Sequence, residues 1–110
     1  MINWIKNLFD FGRTFGAARS PEWGEVRKEF LKEHPECAVC GRKASFLRPL
    51  NVHHKKPFNK FPEEELNKNN LITLCPDHHL FVGHLMNFKS FNVDVKTDAE
   101  TWRLKIKNRP

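Results

Sequence analysis

The chain reads as an α+β fold with a metal-stapled core, and three features of the sequence say so. Cys37-Ala-Val-Cys40 and Cys75-Pro-Asp-His78 are short chelating pairs, each with two residues between its members. Trp23, Val26 and Phe30 recur at helical spacing, whereas Leu50 and Val52 alternate and residues 71–74 form a short apolar run. A chain of 110 residues fits one domain with one modest core, for which a metal staple is useful.

Taken in order, the elements divide the chain into an N-terminal segment, residues 1–19, and a single domain over 20–110 whose stapled core spans about 37–88. In the first segment Ile2, Ile5, Leu8, Phe9 and Phe15 fall at roughly helical spacing, with Lys6, Arg13 and Arg19 among them. It is an amphipathic segment that packs on the domain, lies on a membrane surface or contacts nucleic acid; Gly12 and Gly16 interrupt the pattern and favour packing. Ser20 as N-cap and Pro21 at the first helical position predict a helix over about 21–33, ended by His34-Pro35. Cys37 to Gly41 is a knuckle, and residues 46–54 read as a strand that sends Leu50, Val52 and His54 to one side and His53 to the other. A shared site for the two histidines therefore requires the strand to end or twist there. The connection over 55–68 contains Pro57 and Pro62, and Glu63-Glu64-Glu65 reads as an exposed first helical turn. After the apolar strand 71–74, Pro76 opens a helix over about 76–82 with His78 and His79 near its start. Val93 and Val95 suggest a further extended piece. Thr97-Asp98-Ala99-Glu100 matches a capping box before Ala99, Trp102 and Ile106 at helical spacing, although Trp102, Leu104 and Ile106 also alternate as in a strand.

Charged residues make up 29% of the chain, and ten Phe and three Trp supply bulky apolar groups, the balance of a soluble globular protein. Mean hydropathy is −0.63. The formal net charge is +6, which suits a polyanion, nucleic acid being the commonest. Three cysteines cannot all pair, so thiolates held by zinc in a reducing compartment explain them better than disulfides. No apolar run of membrane-spanning length and no cleavable signal pattern is visible, and the expected location is cytoplasmic.

Cys37, Cys40, Cys75 and His78 can close one tetrahedral zinc site, tying the knuckle to the start of the second helix across the 34 residues between Cys40 and Cys75. His34, three residues before Cys37, competes with His78 for the fourth place. His78 completes the second chelate, while His34-Pro35 already serves as a helix end.

That assignment leaves His53, His54 and His79 outside the zinc site. The order His53-His54, Asn70, His79, set between two chelating pairs, resembles the HNH nucleases, a branch of the ββα-metal fold with a treble-clef-like core. The resemblance extends from about Arg19 to the C-terminus, including His54-Lys55-Lys56-Pro57-Phe58, Gly83-His84-Leu85 and residues 102–110, and points to compact HNH proteins of bacteriophages and prophages. It implies a metal-dependent DNA endonuclease with flanking N- and C-terminal helices, acting in a bacterial or phage-infected cytoplasm as monomer or homodimer, with phage packaging proteins as partners by family analogy.

Carried over residue by residue, the resemblance makes His54 the general base, His53 and His79 ligands of a catalytic divalent ion (Mg2+, Mn2+, Ni2+ or Zn2+), and Asn70 the residue that fixes the base loop. It also implies 5′ phosphate and 3′ hydroxyl products. Relatives often have a fourth cysteine where His78 stands. Some place a further ligand four residues after the equivalent of His79, which here is Gly83. His84, five residues on, points about 140° away in an unbroken α-helix, so it is a ligand only if the helix ends or changes pitch, and otherwise a structural histidine. Two other readings remain: a catalytically inactive zinc-stapled nucleic-acid-binding module, and a protein-interaction adaptor on the same scaffold.

Overall fold

The computed structural model describes residues 19–109, so the expected amphipathic segment lies outside the described residues except for Arg19. Helix α1 spans Trp23–Glu33 and turns Phe30 into the core. It starts two residues later than the Ser-Pro pair predicts. The Ser20 hydroxyl accepts the Glu22 N–H at 3.1 Å, and the Ser20 carbonyl accepts the Trp23 N–H at 3.0 Å, so serine closes a turn ahead of the helix.

Next comes the knuckle. The Cys37 N–H donates to the Arg42 carbonyl and the Gly41 N–H to the Cys37 carbonyl, both at 2.8 Å. Gly41 has φ 77°, a conformation that costs glycine nothing.

Of the expected strand over 46–54 only Asn51–His54 (β1) forms. Among the described residues its partner is the four-residue β2, Leu71–Leu74, in an antiparallel register that sets His53 opposite Ile72 and His54 opposite Leu71. Residues 46–50 have no strand to pair with; Ser45 and Arg48 instead bond each other across a tight turn.

Between the strands lie two 3-10 turns, Pro62–Glu64 and Lys68–Asn70. The acidic triplet is not uniformly exposed: Glu65 is 5% exposed, because its carboxylate accepts the Ser20 N–H.

β2 is buried along its whole length and leads through Cys75 into a single helical turn, Pro76–His78 (α2), that widens into a π turn over His79–Gly83. The last element, α3, spans Val95–Lys107. It begins before the expected capping box and replaces the extended piece expected at Val93 and Val95, because Val95 is fully buried as the first helical residue. Helix also prevails over the alternating terminal strand, with Ala99 buried and Trp102 half exposed.

The core gathers Cys37, Val39, Leu50, Ile72, Leu74, Cys75, Val95 and Ala99, with Leu31, Val82 and Ile106 packed against it. Two of the three cysteines thus sit inside the hydrophobic core. This is a mixed helix-and-strand fold with a two-stranded sheet, consistent with a ββα-metal core of β1, β2 and α2. Among the described residues no helix is long and apolar enough to cross a membrane.

Candidate metal centres and histidine pocket

Cys37, Cys40, Cys75 and His78 converge, with one ligand atom from each within 4.8 Å of the others. The Cys75 sulfur lies 3.3 Å from His78 Nδ1, the Cys37 sulfur 3.8 Å from the same nitrogen, and the Cys40 and Cys75 sulfurs are 4.0 Å apart. Zinc–sulfur bonds of about 2.3 Å give a tetrahedron with edges of about 3.6–3.8 Å, so the four atoms already stand at zinc-site spacing. All three cysteines are free thiols. Burial, with Cys37 and Cys40 alongside, pushes the Cys75 thiol up to about 11, and a central cation would relieve that crowding. Burial also lowers His78, outweighing Asp77, and keeps its imidazole in the neutral ligand form. His34 stands outside the cluster, stacked on Phe30 at 4.3 Å between ring centroids.

The second cluster is His53, His79 and His84. Their ring centroids form a near-equilateral triangle, 5.0 Å from His53 to His79 and 4.8 Å on the other two sides. The Nε2 atoms of His79 and His84 are 3.2 Å apart, close to the roughly 3.4 Å edge of a tetrahedral site with metal–nitrogen bonds of 2.0–2.1 Å. His53 Nε2 is buried and has no hydrogen-bond partner, a loss of about 1–3 kcal/mol that an ion would make good.

The outer nitrogens are held. His84 Nδ1 lies 2.7 Å from the Ser90 carbonyl, which can only accept, so the proton sits on Nδ1 and Nε2 keeps its lone pair. His79 Nδ1 lies 3.1 Å from the Asn51 side-chain amide; the NH2 group as placed donates to Nδ1 and puts the ring proton on Nε2, whereas the amide turned over accepts Nδ1–H and leaves Nε2 for an ion. Such partners orient ligating rings toward an ion.

His84 reaches this cluster through the π turn. Its N–H donates to the His79 carbonyl, five residues back, at 3.1 Å. The widened ring absorbs one extra residue, so His84 returns to the face of His79 rather than pointing about 140° away. Buried Asn92 fixes the end of the turn, its N–H donating to the Gly83 carbonyl and its side-chain amide to Val82 and to Asp98 of α3.

Gly83 has a second role. A Cβ there would lie 3.2–3.3 Å from the His53 ring, closer than ordinary contact. Gly83→Ala is expected to weaken divalent-ion binding at the histidine cluster by on the order of tenfold, measured by calorimetric titration of zinc-loaded protein, while helix propensity favours the alanine. Unchanged affinity would show that the ring has room to give.

His54 turns the other way, as strand alternation requires. Its ring packs on Trp23 at 4.6 Å, and its Nε2 lies 2.9 Å from the Glu65 carbonyl. That carbonyl can only accept, so Nε2 carries the proton and Nδ1 is left unprotonated. Because β1 stops at His54, the two histidines nevertheless line one cavity of about 620 Å3, with His79, His84, Arg19, Phe58 and Phe88 around it.

Asn70 ties down the loop that supplies the Glu65 carbonyl. Its Oδ1 accepts the Lys56 N–H at 2.8 Å, and its Nδ2 donates to the carbonyls of Lys56 and Glu64 at 3.1 and 3.2 Å. One buried amide thus clamps the residues flanking both His54 and Glu65.

Sequence reasoning missed Glu65 and Ser90, which act on the imidazoles through main-chain carbonyls, and Asn51 and Asn92, whose side-chain amides belong to no motif. It also gave Arg19 no place in the pocket, where the guanidinium lies over Phe58 at 4.6 Å and Trp23 at 5.4 Å.

Burial holds the imidazoles neutral. His53 is pushed down to about 3, by desolvation first and then by His79, His84 and His54; His79 is pushed down to about 4, by desolvation and then His84. For His54 desolvation again leads, with Arg19 adding to it and the Glu65 carbonyl opposing. The unfolded chain takes up these protons near pH 6.5 and the folded chain only nearer 4, so this contribution destabilises the fold as pH falls from 6.5 toward 4. In an NMR titration of zinc-loaded protein without added ion, His53 and His79 are expected to stay neutral down to about pH 5, well below the ordinary imidazole value. A midpoint near 6.5 for either ring would contradict the burial.

Comparison with known proteins matches residues 37–82 to the family model described as HNH endonuclease. No curated protein and no solved structure matches the chain. The matched stretch holds both chelating pairs, β1 with its two histidines, Asn70 and His79, and ends two residues short of His84: over these residues the chain is similar to the HNH endonuclease family.

Proposed function

We propose that this protein is a metal-dependent DNA endonuclease, with residues 20–110 forming one nuclease domain. The carrying observation is the fixed tautomer of His54, whose Nε2–H donates to the Glu65 carbonyl and whose ring lines the same cavity as three convergent imidazoles. His54 takes the proton of the attacking water, and its neutral form at pH 7 is secured by burial and by Arg19. Asn70 holds the loop whose Glu65 carbonyl fixes the His54 ring. His53, His79 and His84 would hold one divalent ion, which when bound would stabilise charge on the scissile phosphate and the departing 3′ oxygen. An all-imidazole donor set favours Ni2+ or Zn2+ over Mn2+ or Mg2+. Cys37, Cys40, Cys75 and His78 would hold a structural zinc.

One site per chain makes nicking the simplest activity, with DNA held largely through its phosphates and little sequence preference. Supercoiled plasmid incubated with the protein and Mn2+, Ni2+ or Mg2+ is expected to convert to nicked circles, and chelation should stop the conversion. Salt-sensitive DNA binding without cleavage under any ion would favour the inactive binding module. Neither cleavage nor binding would favour the adaptor.

A further inference from the structure

Positive charge is concentrated in one part of this chain. Residues 37–62 carry Arg42, Lys43, Arg48, Lys55, Lys56 and Lys60 and no acidic residue, a surplus equal to the +6 of the whole sequence. Within this stretch Ser45 and Arg48 exchange backbone hydrogen bonds of 3.1 Å in both directions, closing a tight turn with Phe46 and Leu47 at its tip. Phe46 is 98% exposed and Leu47 81%, more than any other large apolar residue among the described ones. Tight two-residue turns favour Asn and Gly, so neither turn chemistry nor packing accounts for a phenylalanine and a leucine here.

We propose that the Phe46–Leu47 tip is an apolar wedge for duplex DNA, pressed against or between base pairs while Arg42, Lys43 and Arg48 contact the flanking phosphates. The proposal rests on DNA being the substrate. Cations on either side of the tip, with no acid from residue 37 to residue 62, suit a phosphate-lined groove better than an ordinary protein surface. Apolar wedges of this type unstack a base step and kink the duplex.

Position supports the same reading. Arg48 lies 4.0 Å from Asp77, two residues before His79, and two residues of chain span at most about 7 Å. The hairpin therefore lies beside the helical turn that leads into His79. His53 and His54 are only 3% and 7% exposed, so a phosphate reaches them more readily from a distorted duplex than from a straight one.

The test uses zinc-loaded His54→Ala protein, which leaves DNA uncut, alone and with Phe46→Ala and Leu47→Ala added. Binding to a fluorescent duplex and to the same duplex carrying one unpaired base is measured across a salt series. The parent should prefer the duplex with the unpaired base, where unstacking costs less. The added substitutions should erase that preference and lower affinity about tenfold, with the salt slope unchanged because no phosphate contact is lost. Equal affinity and equal preference in a parent that binds with normal salt dependence would overturn the wedge alone, leaving the tip to a protein partner. A parent that binds no DNA would overturn the wedge and the nuclease reading together.

Discussion

Replacing His54 with alanine is expected to lower metal-dependent plasmid cleavage by roughly 10²–10⁴-fold, the usual contribution of a positioned general base. The size of the effect follows from the surroundings of the ring. Trp23 covers one side, the Glu65 carbonyl accepts the Nε2–H hydrogen bond, and no other described imidazole in the pocket is held in this tautomer by the base loop. His53, His79 and His84 remain in the variant, so ion binding to the cluster should persist while turnover disappears. The diagnostic is therefore a pair of measurements: nicked product falling to background, and zinc content together with divalent-ion affinity staying at parental values. Equal slow nicking by both proteins would remove the enzymatic reading and leave a basic zinc-type fold. If Asn70 acts as its hydrogen bonds suggest, through the loop rather than on substrate, its loss should reach cleavage only by disturbing His54.

Stripping the sulfur-bound ion should abolish the fold itself. Cys37 and Cys75 are 1% and 0% exposed and belong to the same core as Leu74, Val95 and Ala99, so a zinc chelate there would be part of the packing rather than an addition to it. Structural zinc contributes an apparent binding energy of about 10–16 kcal/mol, at least as much as the whole stability of about 5–15 kcal/mol typical of a small domain. Among the described residues there are two four-residue strands and two long helices, and little else there fixes the arrangement. Circular dichroism after treatment with a strong chelator, or of Cys75→Ser protein, is expected to show no cooperative thermal transition, and readdition of Zn2+ should restore it in the parent only. A metal-free protein melting within a few degrees of the zinc-loaded one would mean that the apolar core suffices.

The sequence carried the chemistry of the site more fully than its outlines. Ligand spacing is a local property, so the Cys-x-x-Cys and Cys-x-x-His pairs and the helix beginning at Pro76 could be read directly. Where strands end depends on their partners. Residues 46–50 have extended character but no neighbour, and became a turn. Glu65 lies in an acidic run that reads as solvent-facing, yet a distant backbone amide, that of Ser20, draws its carboxylate inward. His84 was undecided because helical pitch, which five residues of sequence do not reveal, determines which way its ring faces.

That pitch has a consequence for how such chains should be compared. Where a helix closes its rings four residues back, a pair of ligands is spaced four apart; here a ring one residue longer carries the pair five apart on the same side. The wider turn thus absorbs one residue inside the element that bears the two histidines without changing the side they face. Pattern searches that demand the shorter interval, or alignments that push every gap into loops, would pair His84 with the wrong position and overlook one of three convergent histidines.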